Sequence, residues 1–281
     1  MPDSNHSTST TPLSDRVTRL MDRAYNEKEL LFADRNYPTP FAMELVQYYS
    51  PNQNNLKPSG VSVEFGCGNG QDAYHLARRI GKVIAYELHP TARKNTIQRF
   101  AEGFGMPETD LSDRLDLRRN YYDIKNLPDN SVDIGHAVSS LHYLSPEELL
   151  RFLKTFGTKL KKGGAVGIAL KTPVSSWPEE FRTEGRNADV EYDLSAIISH
   201  RNGMPLIVSG YNFALSDDPK KPTEEITRVF YTEEQLKLLF EEAELSLLKS
   251  ETVPFPNYDR NGKTEYFAWV IGTPSNYKAK K

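Results

Sequence analysis

The chain has 281 residues, 38% of them apolar and 11% aromatic, enough to bury a substantial core in one large α/β domain or two small ones. A formal net charge of -3 argues against nucleic acid or an anionic membrane as the partner of the whole chain, and a single cysteine excludes an intrachain disulfide framework. No run reaches the ~18 apolar residues that span a bilayer, and the polar start "MPDSNHSTSTTP" lacks the apolar core of a secretory signal, so a cytoplasmic protein is expected.

In chain order, residues 1–12 are rich in Ser and Thr and predict a disordered tail. From Leu13 the apolar spacing turns helical through Val17, Leu20, Met21, Ala24, Leu30 and Leu31. The prolines of "NYPTPF" break that helix, Phe41 to Tyr49 predicts a second short one, and "SPNQNNLKPSG" is a loop. An alternation then begins. "VSVEF" (61–65) is a short apolar strand, and "QDAYHLARRIG" is a helix stopped at Gly81. "KVIAYEL" is a strand, "PTARKNTIQRFAEGFG" a helix with Pro90 in its first turn, and "LDLRRNYYD" a third strand ending at Asp123. "SVDIGHAVSSL" holds a fourth strand, "SPEELLRFLKTFGTKLKKGG" an amphipathic helix capped by Ser145, and "AVGIALKT" a fifth strand. Strands alternating with helices imply right-handed crossovers and a parallel sheet covered on both faces. After Thr172 the regularity fails for about sixty residues, with "PLIVSGYNFAL" as a strand inside that stretch. It returns with the helix "YTEEQLKLLFEEAEL" and the strand-like runs "LSLLKSETVPF" and "TEYFAWVIG".

The segment "VEFGCGNGQD" (63–72) sets Gly66, Gly68 and Gly70 between the first strand and the helix that follows, with Glu64 before them. A glycine-rich strand-to-helix turn tolerates φ > 0 and lets a ligand approach the backbone. Dinucleotide enzymes need G-x-G-x-x-G/A, and here the last of those positions is Gln71, which argues against a nicotinamide oxidoreductase. Glu87 ends the second strand, 21 residues beyond Gly66, at an exposed strand end where a carboxylate can accept from both hydroxyls of a ribose. Asp123 is placed to accept from an exocyclic adenine amine, and the N–H of Ile124 to donate to a ring nitrogen.

"VSVEFGCGNGQD", "VIAYELHP", "YYDIKNLPDNSVDIGHAVSSLHYL" and "LKKGGAVGIALKT" follow one another in order, and this set resembles the successive motifs of the class I S-adenosylmethionine-dependent methyltransferases over about residues 60–172. The resemblance implies a Rossmann-like, seven-stranded, mostly parallel α/β sheet with helices on both faces and an antiparallel C-terminal hairpin. It implies that Glu64 and the loop Gly66, Cys67, Gly68 and Gly70 hold the methionyl part of S-adenosylmethionine. Glu87 takes the ribose, Leu88 packs on the adenine, and Asp123 and Ile124 read its edge. Ala137, just past the fourth strand, touches the amino-acid end through its backbone. The expected organisation is a single domain over 13–281: an N-terminal helical cap at 13–55, a cofactor-binding core at 60–172, a substrate-side insertion at 173–225, and a C-terminal helix and hairpin at 226–275.

Other residues invite roles that need more than their presence. Cys67 would need a neighbouring base to act as a nucleophile, and it reads as a small residue that fits the turn. His142 follows the fourth strand at the mouth of the site and can serve as a general base toward an acceptor. His136 lies within the strand and reads as structural. The six histidines and one cysteine show no metal-ligand spacing of the H-x-x-x-H or C-x-x-C kind. The reading is methyl transfer from S-adenosylmethionine to a small-molecule acceptor, releasing S-adenosylhomocysteine. Its alternatives are a methyltransferase acting on tRNA or protein, and a non-catalytic cofactor-binding interaction protein. The aromatic insertion, with Trp177, Phe181, Tyr192, Tyr211 and Phe213, is expected to close over the site together with the segment Tyr25 to Phe41.

Overall fold

β1 (Gly60–Phe65) sets Val61, Val63 and Phe65 on one face and Ser62 and Glu64 on the other, and its last four residues are buried, as in a strand inside a parallel sheet. The computed structural model of the chain describes residues 38–49, 59–172, 189–198, 207–214, 225–255 and 265–275. In it β1 lies between β2 (Gly81–Tyr86) and β4 (Val132–Val138), parallel to both. β3 (Leu115–Arg118) extends the sheet beyond β2, and β5 (Leu160–Lys171) beyond β4. Two late strands, β9 (Leu245–Phe255) and β10 (Glu265–Pro274), close the far edge as an antiparallel pair with β10 against β5. The order is β3-β2-β1-β4-β5-β10-β9, the seven-stranded, mostly parallel arrangement expected. Strand order reverses between β1 and β4, which opens a crevice at their carboxyl ends where ligands of such sheets sit.

Helices α1 (Pro40–Tyr49), α2 (Gln71–Arg79) and α3 (Pro90–Phe104) cover one face. Phe41 and Leu45 of α1 pack with Leu76 of α2 onto Ile134, Phe267 and Trp269, while Phe100 of α3 joins Ala73, Val83 and Ala85. Helices α4 (Pro146–Lys159) and α5 (Glu233–Glu242) cover the other face, where Phe152, Phe156, Leu239 and Phe240 pack with Val63 and Phe65. Both of these helices start in a capping box, Ser145 with Glu148 and Thr232 with Gln235, which satisfies N–H groups that a helix start leaves open.

Several expectations change. The third strand ends at Arg118, and Asp123 lies in a tight 3-10 helix, Tyr121–Asn126, whose start is capped by the Asn120 side chain accepting from the Tyr122 N–H at 2.9 Å. A local side-chain bond of this kind draws the backbone out of extended conformation. Ala137 is inside β4, in register with Phe65 and Ile168, rather than past the strand. The stretch after Thr172 contains more order than its sequence suggests: β6 (Asp189–Asp193), β7 (Ile207–Ala214) and β8 (Glu225–Phe230) form a second, antiparallel sheet in the order β6-β7-β8. The segment "DVEYD" is too acidic to read as a strand alone, and its extended form rests on pairing with β7. The tail at 1–12, the helix from Leu13, most of the loop at 50–60, Trp177 and Phe181 lie outside the described residues.

Candidate active site

The turn that leaves β1 carries three left-handed glycines, Gly66, Gly68 and Gly70, at φ of 69°, 54° and 78°. At Gly66 and Gly70 space as well as conformation requires glycine. A Cβ at Gly66 would come within 2.4 Å of the Ser140 Cβ, and one at Gly70 within 2.8 Å of Thr96 Cγ2. The first two amides of the turn, those of Gly66 and Cys67, both donate to the Tyr86 carbonyl at the end of β2, at 2.8 and 3.1 Å. Gly70 then stands at the N-cap of α2.

Side chains from β2 and α3 hold this loop. Glu87 Oε2 accepts from the Gly68 N–H at 2.8 Å, and its Oε1 from the His89 N–H at 2.8 Å. Glu87 is therefore buried rather than at an exposed strand end, because the chain folds back over it into α3. Burial raises its carboxyl pKa, against the lowering effect of the His89 and Gly68 amides. Thr96 Oγ1 donates to the Gly68 carbonyl at 2.8 Å, and Arg99 Nε to the Asn69 carbonyl at 2.9 Å. Cys67 is buried against Thr96; burial, then the Glu87 and Glu64 carboxylates, push its thiol well above the ordinary value, so nothing activates it as a nucleophile.

Around the loop, Leu88 is half-buried, and Ile124 is buried beside Asp123. With the Ala137 backbone committed to the sheet, the chain first reaches the crevice at Ser139 and Ser140. Ser139 is a non-glycine residue at φ of 52°, and its Oγ is buried without a hydrogen-bond partner among the described residues. Ser140 donates from Oγ to the Phe65 carbonyl at 2.6 Å, tying the end of β4 to the start of the glycine loop. Sequence reading passed over both serines; the signal was "VSSL" directly after an apolar strand. Backbone strain held in place by neighbours is common where ligands bind.

Glu64 points to the other side of the loop, toward α1 and α2. Its Oε1 lies 3.7 Å from His136 Nδ1, and Asp72 Oδ2 lies 4.0 Å from the same nitrogen. Burial pushes the Glu64 carboxyl up to about 7 against the pull of His136. Burial works against the charged form of His136, yet Glu64 and Asp72 hold its pKa above the ordinary value.

At the carboxyl ends of β4 and β5 the second sheet closes in. Arg228 of β8 donates to the Tyr143 hydroxyl at 2.8 Å, with its guanidinium 5.2 Å from the Tyr143 ring centroid. Leu194, Val208 and Val229 of this region join the core of the main sheet. His142 packs edge-on to Tyr143, 4.2 Å between centroids, and its Nε2 is buried with no hydrogen-bond partner among the described residues. Burial, then the charges of Arg228 and Lys171, hold its pKa well below the usual value. Such an imidazole stays neutral at physiological pH and is a weak base. Phe41, expected at the pocket, is buried against Trp269 and Phe267 instead. Thr39, just before α1, donates from its N–H and its hydroxyl to Asp72 of α2, at 2.6 and 2.8 Å.

Residues 63–164 match the family model described as "Methyltransferase domain". No curated protein matches the chain in sequence. Among solved structures, the fold is similar to the magnesium protoporphyrin IX methyltransferase of Synechocystis with bound S-adenosylhomocysteine: TM-score 0.59, 10% identity, 94% of this chain and 100% of that one covered. It is similar to the 1,6-didemethyltoxoflavin-N1-methyltransferase of Burkholderia thailandensis, with TM-score 0.53, 15% identity, and 94% and 91% covered. It is also similar to an S-adenosylmethionine-dependent methyltransferase of Clostridium acetobutylicum, with TM-score 0.52, 18% identity, and 90% and 98% covered. At these identities the likeness concerns the fold.

Proposed function

We propose that this chain, a class I S-adenosylmethionine-dependent methyltransferase by its matched domain and sheet order, delivers the methyl group to a small-molecule acceptor. The observation that carries the cofactor assignment is the turn of three left-handed glycines, Gly66, Gly68 and Gly70, at the carboxyl end of β1, held by the Glu87 carboxylate through the Gly68 amide. When bound, S-adenosylmethionine supplies a methyl group already activated by its sulfonium charge.

The chain's own residues do the rest. Glu87 keeps lone pairs beyond its two backbone bonds, and these would accept from the ribose hydroxyls. The glycine loop would hold the methionyl end, while Glu64, expected there too, faces His136 and Asp72; Leu88 would pack on the adenine, and Asp123 with the Ile124 amide would read its edge. The contact first assigned to Ala137 passes to Ser139 and Ser140. Because the sulfonium is a good leaving group, alignment of the acceptor is the main remaining task, and positioning is worth roughly 7–11 kcal/mol of a barrier. The weak basicity of His142 favours an acceptor that needs little deprotonation by a side chain, with His142 packing at the pocket wall. β8 and the 141–143 turn together supply that wall, and their closure over the strand ends supports an acceptor small enough to fit beneath them. Two of the similar structures are of enzymes whose names give small molecules as substrates. Among the described residues no helix is long and apolar enough to cross a membrane.

The test is transfer from methyl-labelled S-adenosylmethionine into an extract fractionated by size. Label in the small-molecule fraction supports the reading. Label in protein or RNA replaces it with the macromolecular alternative, and binding without transfer to any fraction replaces it with a cofactor-binding interaction protein.

A further inference from the structure

Beneath the glycine loop, on the face covered by α1 and α2, Glu64, Asp72 and His136 come together from β1, α2 and β4. All three are buried, His136 completely. Neither imidazole nitrogen has a hydrogen-bond partner among the described residues, and neither does Glu64 Oε2. Leaving an imidazole and a carboxylate oxygen desolvated and unbonded costs several kcal/mol by the usual scale, roughly 1–3 for each group and more for a charged one. Native structures seldom keep such groups without a water or ion to meet them.

We propose that Glu64, Asp72 and His136 form a binding site for a divalent transition-metal ion of the zinc class. One ligand atom from each residue lies within 4.8 Å of the others. A tetrahedral ion at about 2.0–2.2 Å from each would bring them together by about an ångström, a shift within reach of side-chain rotation. Two carboxylate oxygens and an imidazole nitrogen suit zinc, cobalt or nickel, whereas calcium and magnesium take oxygen ligands almost alone. The Thr39 N–H and hydroxyl hold the Asp72 carboxylate in place, at 2.6 and 2.8 Å, as outer hydrogen bonds hold a metal ligand. The ion would link both ends of the glycine loop, since Glu64 precedes Gly66 by two residues and Asp72 follows Gly70 by two.

The site is enclosed, so the full chain is unfolded in denaturant with a chelator, then refolded with and without Co(II) or Zn(II). The expected result is one ion retained per chain after gel filtration, low-coordinate Co(II) absorption without a thiolate charge-transfer band, and a higher melting temperature than the metal-free protein. His136→Asn and Glu64→Gln should each weaken Zn(II) retention by roughly 10–100-fold. Folding of the variants is checked by circular dichroism; should one fail to fold, the other and the wild-type Co(II) spectrum still decide. A wild-type chain that retains no ion overturns the proposal. So do folded variants that retain it equally, or a spectrum showing sulfur ligation by Cys67. None of these readouts depends on methyl transfer.

Discussion

Glu87 Oε2 lies 2.8 Å from the backbone nitrogen of Gly68, so the acid assigned to the ribose is also the clasp that shapes the glycine loop. One side chain thus links the end of β2 to the turn after β1, and the two roles lose together. Glu87→Ala strips acceptors from two amides and from the ligand. Affinity for S-adenosylhomocysteine should fall by roughly 2–4 kcal/mol, on the scale of hydrogen bonds to a charged group. The melting temperature should fall as well, because the Gly68 and His89 amides lose their partner. Calorimetry on the folded variant with unchanged affinity would remove Glu87 from the site.

Gly66 and Ser140 are fitted to one another. Gly66→Ala adds a Cβ to a left-handed position and drives it to 2.4 Å from the Ser140 Cβ. The cost should be about 1–3 kcal/mol of stability. Combining it with Ser140→Gly should recover part of that cost, as a coupling of roughly 0.5–3 kcal/mol in a double-mutant cycle. Strict additivity of the two changes would mean the loop relaxes away from Ser140.

His142 should stay neutral in the folded chain. An unfolded histidine takes its proton near pH 6.5, while burial and the charges of Arg228 and Lys171 hold folded His142 well below that. The unfolded state then binds the extra proton as pH falls through 6.5, so His142 lowers stability in that window, by at most about 1.4 kcal/mol per pH unit. His142→Gln should flatten the wild-type pH dependence between about 6.5 and 5. An NMR titration in which His142 protonates near 6.5 would contradict the burial argument and restore it as a candidate base.

Much of this was open to sequence reading, for a definite reason. The Gly66–Gly70 turn, Glu87 and the strand alternation are local patterns, and a positive φ or a buried apolar strand leaves its mark within a few residues. The misplacements come from longer-range effects. Asp123 leaves β3 because Asn120 captures the Tyr122 amide, and Glu87 is buried because the chain returns over it. β6 and β8 exist through pairing with β7, which no single segment announces. The Glu64–Asp72–His136 cluster joins residues on three elements, and strand-mates such as Glu64 and His136 meet only once register is known.

Arg228 reaches the site from β8, far along the chain from the loop it serves. Arg228→Met keeps the bulk and removes the hydrogen bond to Tyr143. Turnover per unit of acceptor should fall, while S-adenosylhomocysteine affinity should stay within a few-fold. A variant with full turnover would place the acceptor away from the second sheet; a large loss of cofactor affinity would place Arg228 in the cofactor pocket.

The most direct measurement is calorimetric titration of S-adenosylhomocysteine into the wild-type chain, beside Gly68→Val and a nicotinamide dinucleotide. The Gly66–Gly70 cradle and Glu87 predict saturable binding at a single site, its loss in folded Gly68→Val, and no heat from the dinucleotide. Absence of S-adenosylhomocysteine binding, or binding unchanged by Gly68→Val, would contradict the assignment of this edge of the sheet to S-adenosylmethionine.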